Sequence, residues 1–112
     1  MQTKIYLDSG DPTETKDIMD QIGFLDGQTT NPSLIVKNPE VQKCKTGERV
    51  CSEDDLLGFY KDIVVDLRNH FSKQQSISIE VYADADTTAQ EMITQGTLMN
   101  TWIPDAHIKL PI

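Results

Sequence analysis

The 112-residue chain carries 18 acidic and 10 basic side chains, a formal net charge of -8. That balance argues against a nucleic-acid partner, because phosphate backbones attract basic surfaces. A content of 38% apolar and 25% charged residues is that of a globular domain, and no apolar run nears the ~20 residues of a membrane-spanning helix. No leader pattern precedes the first strand, so the cytoplasm is the expected compartment.

One domain over residues 1–112 is expected at this length. Lys4-Ile5-Tyr6-Leu7-Asp8 alternates as a short strand, and Ser9-Gly10-Asp11-Pro12 breaks it. Asp11, Pro12 and Glu14 form a helix start: a cap, a proline in the first turn and a glutamate three residues after the cap. Ile18, Met19 and Ile22 give that helix its apolar face, and Gly23 stops it. Residues 24–30 read as a weaker strand, and Asn31-Pro32 opens a short helix through Val36. Residues 37–51 are polar and turn-rich, which predicts a loop or insertion. Cys44 and Cys51 bracket its end. Without a secretory signal they are expected to be free thiols, and a zinc site would need about four ligands.

Ser52-Glu53-Asp54-Asp55 opens the clearest helix, with Leu56, Phe59, Tyr60, Ile63, Val64 and Leu67 spaced three and four apart. Its acidic start and its end near Arg68-Asn69-His70 suit the helix dipole. Residues 76–82 alternate as a strand of strong β-formers. Thr87 or Thr88 caps a further helix through Ala89, Met92, Ile93, Gly96 and Met99. Residues 106–112 read as a fourth strand. The order β-α-β-α-β-α-β predicts an α/β fold with four parallel strands and three main crossover helices.

Parallel α/β sheets place their ligand sites at the carboxyl ends of the strands. Four candidates lie there: Asp8, Asn31 with Thr29, Glu80, and Lys109. Strand alternation puts Asp8 with Tyr6, Ser78 with Glu80, and Lys109 with His107, opposite their aliphatic neighbours. Two carboxylates, an amide and an amine on one face suit imine chemistry. The amine must be unprotonated to attack a carbonyl; partial desolvation beside Ile108 and Leu110 favours that form and nearby carboxylates oppose it. The carboxylates can move protons for carbinolamine dehydration and C–C cleavage. Each residue also has a plainer reading: Asp8 as a turn cap, Asn31 as a helix N-cap, Glu80 as a solvated edge residue and Lys109 as an edge lysine that blocks aggregation. His107 reads as a wall or rim residue.

The run Leu25-Asp26-Gly27-Gln28-Thr29-Thr30-Asn31-Pro32-Ser33-Leu34-Ile35 resembles the transaldolase signature around TTNPSL. Ile5-Tyr6-Leu7-Asp8-Ser9, Ser78-Ile79-Glu80-Val81 and Ile108-Lys109-Leu110-Pro111 resemble that family's first, third and fourth strands. The resemblance implies half of a (β/α)8 TIM barrel, ending just past the Schiff-base strand. By the same resemblance Lys109 is the imine-forming lysine, Asp8 the acid/base for C–C cleavage, and Glu80 the proton carrier with a bound water. Thr29, Asn31 and Ser78 would hold that water or the sugar hydroxyls. Glu80 points to transaldolase rather than to the related fructose-6-phosphate aldolases, which tend to carry glutamine there. The family moves a dihydroxyacetone unit between sugar phosphates in the pentose phosphate pathway, without metal or organic cofactor.

The family's later strands and its phosphate-binding group have no counterpart among these residues. The expectation is therefore weak or no turnover by this chain alone, because remote binding energy orients a substrate. Open edges at the first and fourth strands and an uncovered inner face imply a homo-oligomer closed on that face. The alternatives are a non-catalytic, self-associating half-barrel or a fructose-6-phosphate aldolase-like activity.

Overall fold

The computed structural model describes residues 3–48, 50–71 and 75–111. The remaining positions of the expected 1–112 domain, including Arg49 of the expected loop and Ile112 of the expected fourth strand, lie outside the described residues. The elements run β1 (Tyr6–Asp8), α1 (Pro12–Ile22), β2 (Gly27–Thr30), α2 (Pro32–Val36), α3 (Pro39–Lys45), α4 (Glu53–His70), β3 (Ser76–Glu80), α5 (Ala89–Met99) and β4 (Ala106–Lys109). The four strands form one sheet in the order β1-β2-β3-β4 with every pairing parallel. Helices occupy each crossover. This is an α/β fold consistent with half of a TIM barrel.

Local chemistry sets the helix ends. Asp11 accepts from Thr13 N–H at 3.0 Å to start α1, and Gly23, at φ 87°, closes it in the left-handed region that suits glycine. Ser52 and Asp55 form a reciprocal capping box at the start of α4, and Thr88 rather than Thr87 caps α5. α4 then turns Tyr60, Ile63, Val64 and Leu67 inward as its spacing requires, while Leu56 stays exposed.

These residues meet Ile77, Ile79 and Val81 from β3 and its extension, all nearly inaccessible, together with Met99 and Ile103. Each fully buried aliphatic side chain of this kind contributes roughly 1.5–3 kcal/mol from removal of apolar surface from water. The hydrophobic core therefore lies on one face of the sheet, between the strands and the helices. The other face carries polar side chains.

Two expectations are corrected between residues 37 and 51. The expected loop contains α3, started by Asn38, whose side chain accepts from Glu40 N–H at 3.0 Å. Val41 of that helix is buried in the core. A helix of 7 residues shows only two turns of periodicity, so its polar composition outweighed it in the sequence. Cys44 and Cys51 are joined in a disulfide, not free: the chain leaving α3 returns towards α4 and brings their Cα atoms to 5.5 Å.

Candidate active site

The carboxyl ends of the strands are held in place by groups beneath the sheet. Gln28 points into the helix side, where it is fully buried; its Nε2 donates to the Ser9 carbonyl at 2.9 Å and its Oε1 accepts from Thr15 Oγ1 at 2.6 Å. That ties the turn after β1 to β2. Gly10 in the same turn packs so close to α2 that a Cβ would come within 2.7–2.8 Å of the Leu34 and Ile35 main chain. Asn38 Nδ2 donates to the Gly10 carbonyl at 3.0 Å. The turn carrying Asp8 is thus fixed from two directions.

On the open face the register aligns Asp8 with Thr29, Thr29 with Ser78, and Ser78 with His107. Glu80 pairs with Lys109. The alternation expected from the sequence holds: these side chains share one face, opposite Leu7, Gln28, Thr30, Ile77, Ile79 and Ile108. Within that face the structure brings together two pairs. Thr29 Oγ1 donates to Asp8 Oδ1 at 2.8 Å. Lys109 Nζ lies 3.9 Å from Glu80 Oε2, with the lysine side chain 65% exposed and the glutamate 19% exposed.

Asp8 and Lys109 are three strand spacings apart, roughly 14 Å along the sheet at ~4.8 Å per step, so they do not touch. Desolvation of Lys109 by its aliphatic neighbours, expected from the sequence, is corrected by that 65% exposure: β4 is paired on one side only. Asn31 serves as the N-cap of α2, its Oδ1 accepting from Leu34 N–H at 2.9 Å. This leaves its Nδ2 as a donor beside the end of β2. Asp8 is not a cap; Asp11 takes that role. Glu80 is not on an edge, since β3 pairs on both sides. His107 lies on the open face as expected, with Nδ1 2.9 Å from Ser76 Oγ.

Sequence reasoning counted Tyr60 only as an apolar position of α4. The structure places its hydroxyl at the end of β3, 3.0 Å from both the Glu80 N and the Glu80 carbonyl oxygen and 3.1 Å from Thr30 Oγ1. Burial pushes the Tyr60 phenol up to about 12, partly offset by the Thr30 and Glu80 hydrogen bonds. The signal was there in kind: a tyrosine at a core position needs a partner for its hydroxyl.

Elsewhere the Asp84 carboxylate is held below its usual range, first by the Asp86 N–H at 2.9 Å and then by Thr87. That turn leads into α5. Among the described residues no group of three His, Cys, Asp or Glu side chains gathers to hold a metal ion. No described helix is long and apolar enough to cross a membrane.

An amine beside a carboxylate at the ends of two adjacent parallel strands can attack a carbonyl and return a proton to the oxygen that leaves. A second carboxylate two strands away from the glutamate can serve another proton-transfer step on a multi-carbon substrate. A family model described as transaldolase/fructose-6-phosphate aldolase matches residues 5–112. No curated protein matches the chain.

Proposed function

The chain belongs to the transaldolase/fructose-6-phosphate aldolase family, and on that premise we propose that Lys109 forms an imine with the carbonyl of a ketose phosphate. Lys109 Nζ attacks the carbonyl carbon to form a carbinolamine. Glu80 protonates the departing hydroxyl through a water, so that the C–O bond breaks and water leaves. Asp8 takes the proton of the hydroxyl on the β carbon, two carbons from the imine carbon. That oxygen becomes the carbonyl of the leaving aldose as the bond between the α and β carbons breaks, and the electron pair of that bond moves into the iminium to form an enamine. The aldose leaves, and a second aldehyde accepts the three-carbon unit by the reverse steps. Thr29 holds Asp8 in place, while Asn31 Nδ2 and Ser78 Oγ contact water or sugar hydroxyls.

The observation that carries this reading is the approach of Lys109 Nζ to Glu80 Oε2, 3.9 Å, at the carboxyl ends of adjacent strands. Sugar phosphate is the substrate class of the family, dihydroxyacetone transfer is the reaction favoured by Glu80, and the cytoplasm is the compartment. Turnover by the chain alone is weak, because the face is open to water and Lys109 is mostly solvated. Reduction with borohydride in the presence of dihydroxyacetone or fructose 6-phosphate tests the reading. An adduct mapped to Lys109 by peptide mass is expected. Folded protein without that adduct would refute retained imine chemistry.

A second reading concerns assembly. Ile5 and Tyr6 at the β1 edge and Leu110 after β4 are large apolar residues at least 40% exposed, and both outer strands pair on one side only. Self-association through the open face and these edges follows from the cost of leaving them in water. Light scattering at micromolar concentration is expected to show a dimer or larger species; a monomer contradicts it.

A further inference from the structure

Pairing between β2 and β3 ends at Thr30 and Ile79, where β2 turns away into Asn31-Pro32. The peptide of Glu80 lies at the end of that pairing. The Tyr60 hydroxyl meets it there: it accepts from the Glu80 N–H at 3.0 Å and lies 3.0 Å from the Glu80 carbonyl oxygen. It also sits 3.1 Å from Thr30 Oγ1, which itself donates to the Ser78 carbonyl at 2.8 Å. The ring is 4% exposed and meets Trp102 edge-on, with centroids 5.6 Å apart. Trp102 stands in the turn between α5 and β4. One side chain from α4 thus fixes the ends of β2 and β3 and rests on the approach to the strand of Lys109.

We propose that Tyr60 is a positioning residue for the imine chemistry, holding the main chain of Glu80 so that its carboxylate faces Lys109 across the strand pair. The role rests on the reading of Lys109 and Glu80 given above. Tyr60 reaches Glu80 from the helix side of the sheet, so it touches neither substrate nor the lysine. Without its hydroxyl, the Glu80 peptide loses its hydrogen bonds to α4 at the end of the strand pair. The carboxylate, three bonds out from the Cα, then samples positions away from the amine.

Tyr60→Phe keeps the ring in the core and removes the hydroxyl. The borohydride-trapped adduct at Lys109 is expected to form on the order of tenfold more slowly, the equivalent of one hydrogen bond. The Glu80 amide is expected to exchange with deuterium at least about tenfold faster while the Val64 and Ile77 amides keep their protection. In a Glu80→Ala background, Tyr60→Phe should add no further loss of trapping. Equal losses with and without the Glu80 carboxylate would overturn the proposal, because they mark a purely structural role. So would an unchanged Glu80 amide.

If Tyr60→Phe does not fold, Thr30→Val loosens the same hydroxyl and is expected to slow trapping about threefold, a part of one hydrogen bond. Unchanged trapping in a folded Thr30→Val protein would then overturn the proposal. Wild-type protein that gives no adduct sinks the imine reading itself and this role with it. Wild-type adduct that forms at the same rate in Tyr60→Phe sinks only the role of Tyr60.

Discussion

The two faces of the sheet are cut from the same four strands, yet their polar groups live under opposite rules. Beneath the helices, Gln28 and Thr30 sit among Ile77, Ile79 and Val81, and each is tied to named partners: Ser9, Thr15, Tyr60 and Ser78. Across the sheet, Ser78, Glu80 and Lys109 make few contacts, the closest between Glu80 and Lys109 being 3.9 Å. Burial explains the contrast. A buried donor or acceptor without a partner costs about 1–3 kcal/mol, so Gln28 and Thr30 are bonded on the covered face. Water satisfies the open face, which leaves its groups free to meet a ligand.

If the covered face carries stability and the open face chemistry, neighbouring residues of β3 should differ sharply. Ile79→Ala, which empties a fully buried site, is expected to cost about 3–4 kcal/mol in urea unfolding. Ser78→Ala, one residue earlier, should stay within about 0.5 kcal/mol. Similar costs at the two positions would break the comparison at its root.

Tyr60 offers the next largest effect and a sign. Its phenol is raised from 10.0 to about 12 in the folded chain. The contribution is therefore fully present below about pH 10 and is lost as pH rises towards 12, because the unfolded chain releases the proton first. On the order of 2–3 kcal/mol should disappear over that window. Tyr60→Phe should lack this part of the alkaline slope, and identical slopes for the two proteins would show that the hydroxyl is solvated. A smaller step follows at Gln28. Gln28→Leu removes the donor to the Ser9 carbonyl and leaves Thr15 Oγ1 only the Asp11 carbonyl at 3.4 Å, and should cost about 2 kcal/mol. Thr29→Val on the open face loses an exposed bond to Asp8 and should cost less than about 1 kcal/mol. Chemical denaturation of the pair reads the difference directly.

The contrast between faces was legible because a strand's period of two needs no tertiary information. Asp8, Ser78, Glu80 and Lys109 fall on one side by counting alone, and the caps at Asp11, Asn31, Ser52 and Thr88 follow from side chains that reach their own backbone. What failed depends on distant partners. Cys44 and Cys51 pair because α3 exists and turns the chain back, and α3 is anchored through Val41 and Asn38 to residues far along the sequence. That the Tyr60 hydroxyl needs a partner was legible, but which partners it takes was not, since they lie 20 and 30 positions away. The solvation of Lys109 depended on which strands cover β4, a matter of neighbours rather than of pattern.

The smallest expected change in stability is also the one that tests the division most directly. Lys109→Met removes a charge whose nearest carboxylate is 3.9 Å away and whose side chain is 65% exposed. Solvent screens such a pair, so the folded state should lose no more than about 0.5 kcal/mol. The apolar stem keeps its place along β4, and the main-chain pairing to β3 does not involve the amine. Trapping with dihydroxyacetone should nevertheless vanish, because methionine has no nitrogen to form the imine. Loss of the adduct with an unchanged unfolding midpoint separates the chemistry of the open face from the stability of the covered one. A destabilisation above about 1 kcal/mol would mean that Lys109 supports the fold, and the lysine would then belong with Gln28 and Thr30 despite the face it occupies.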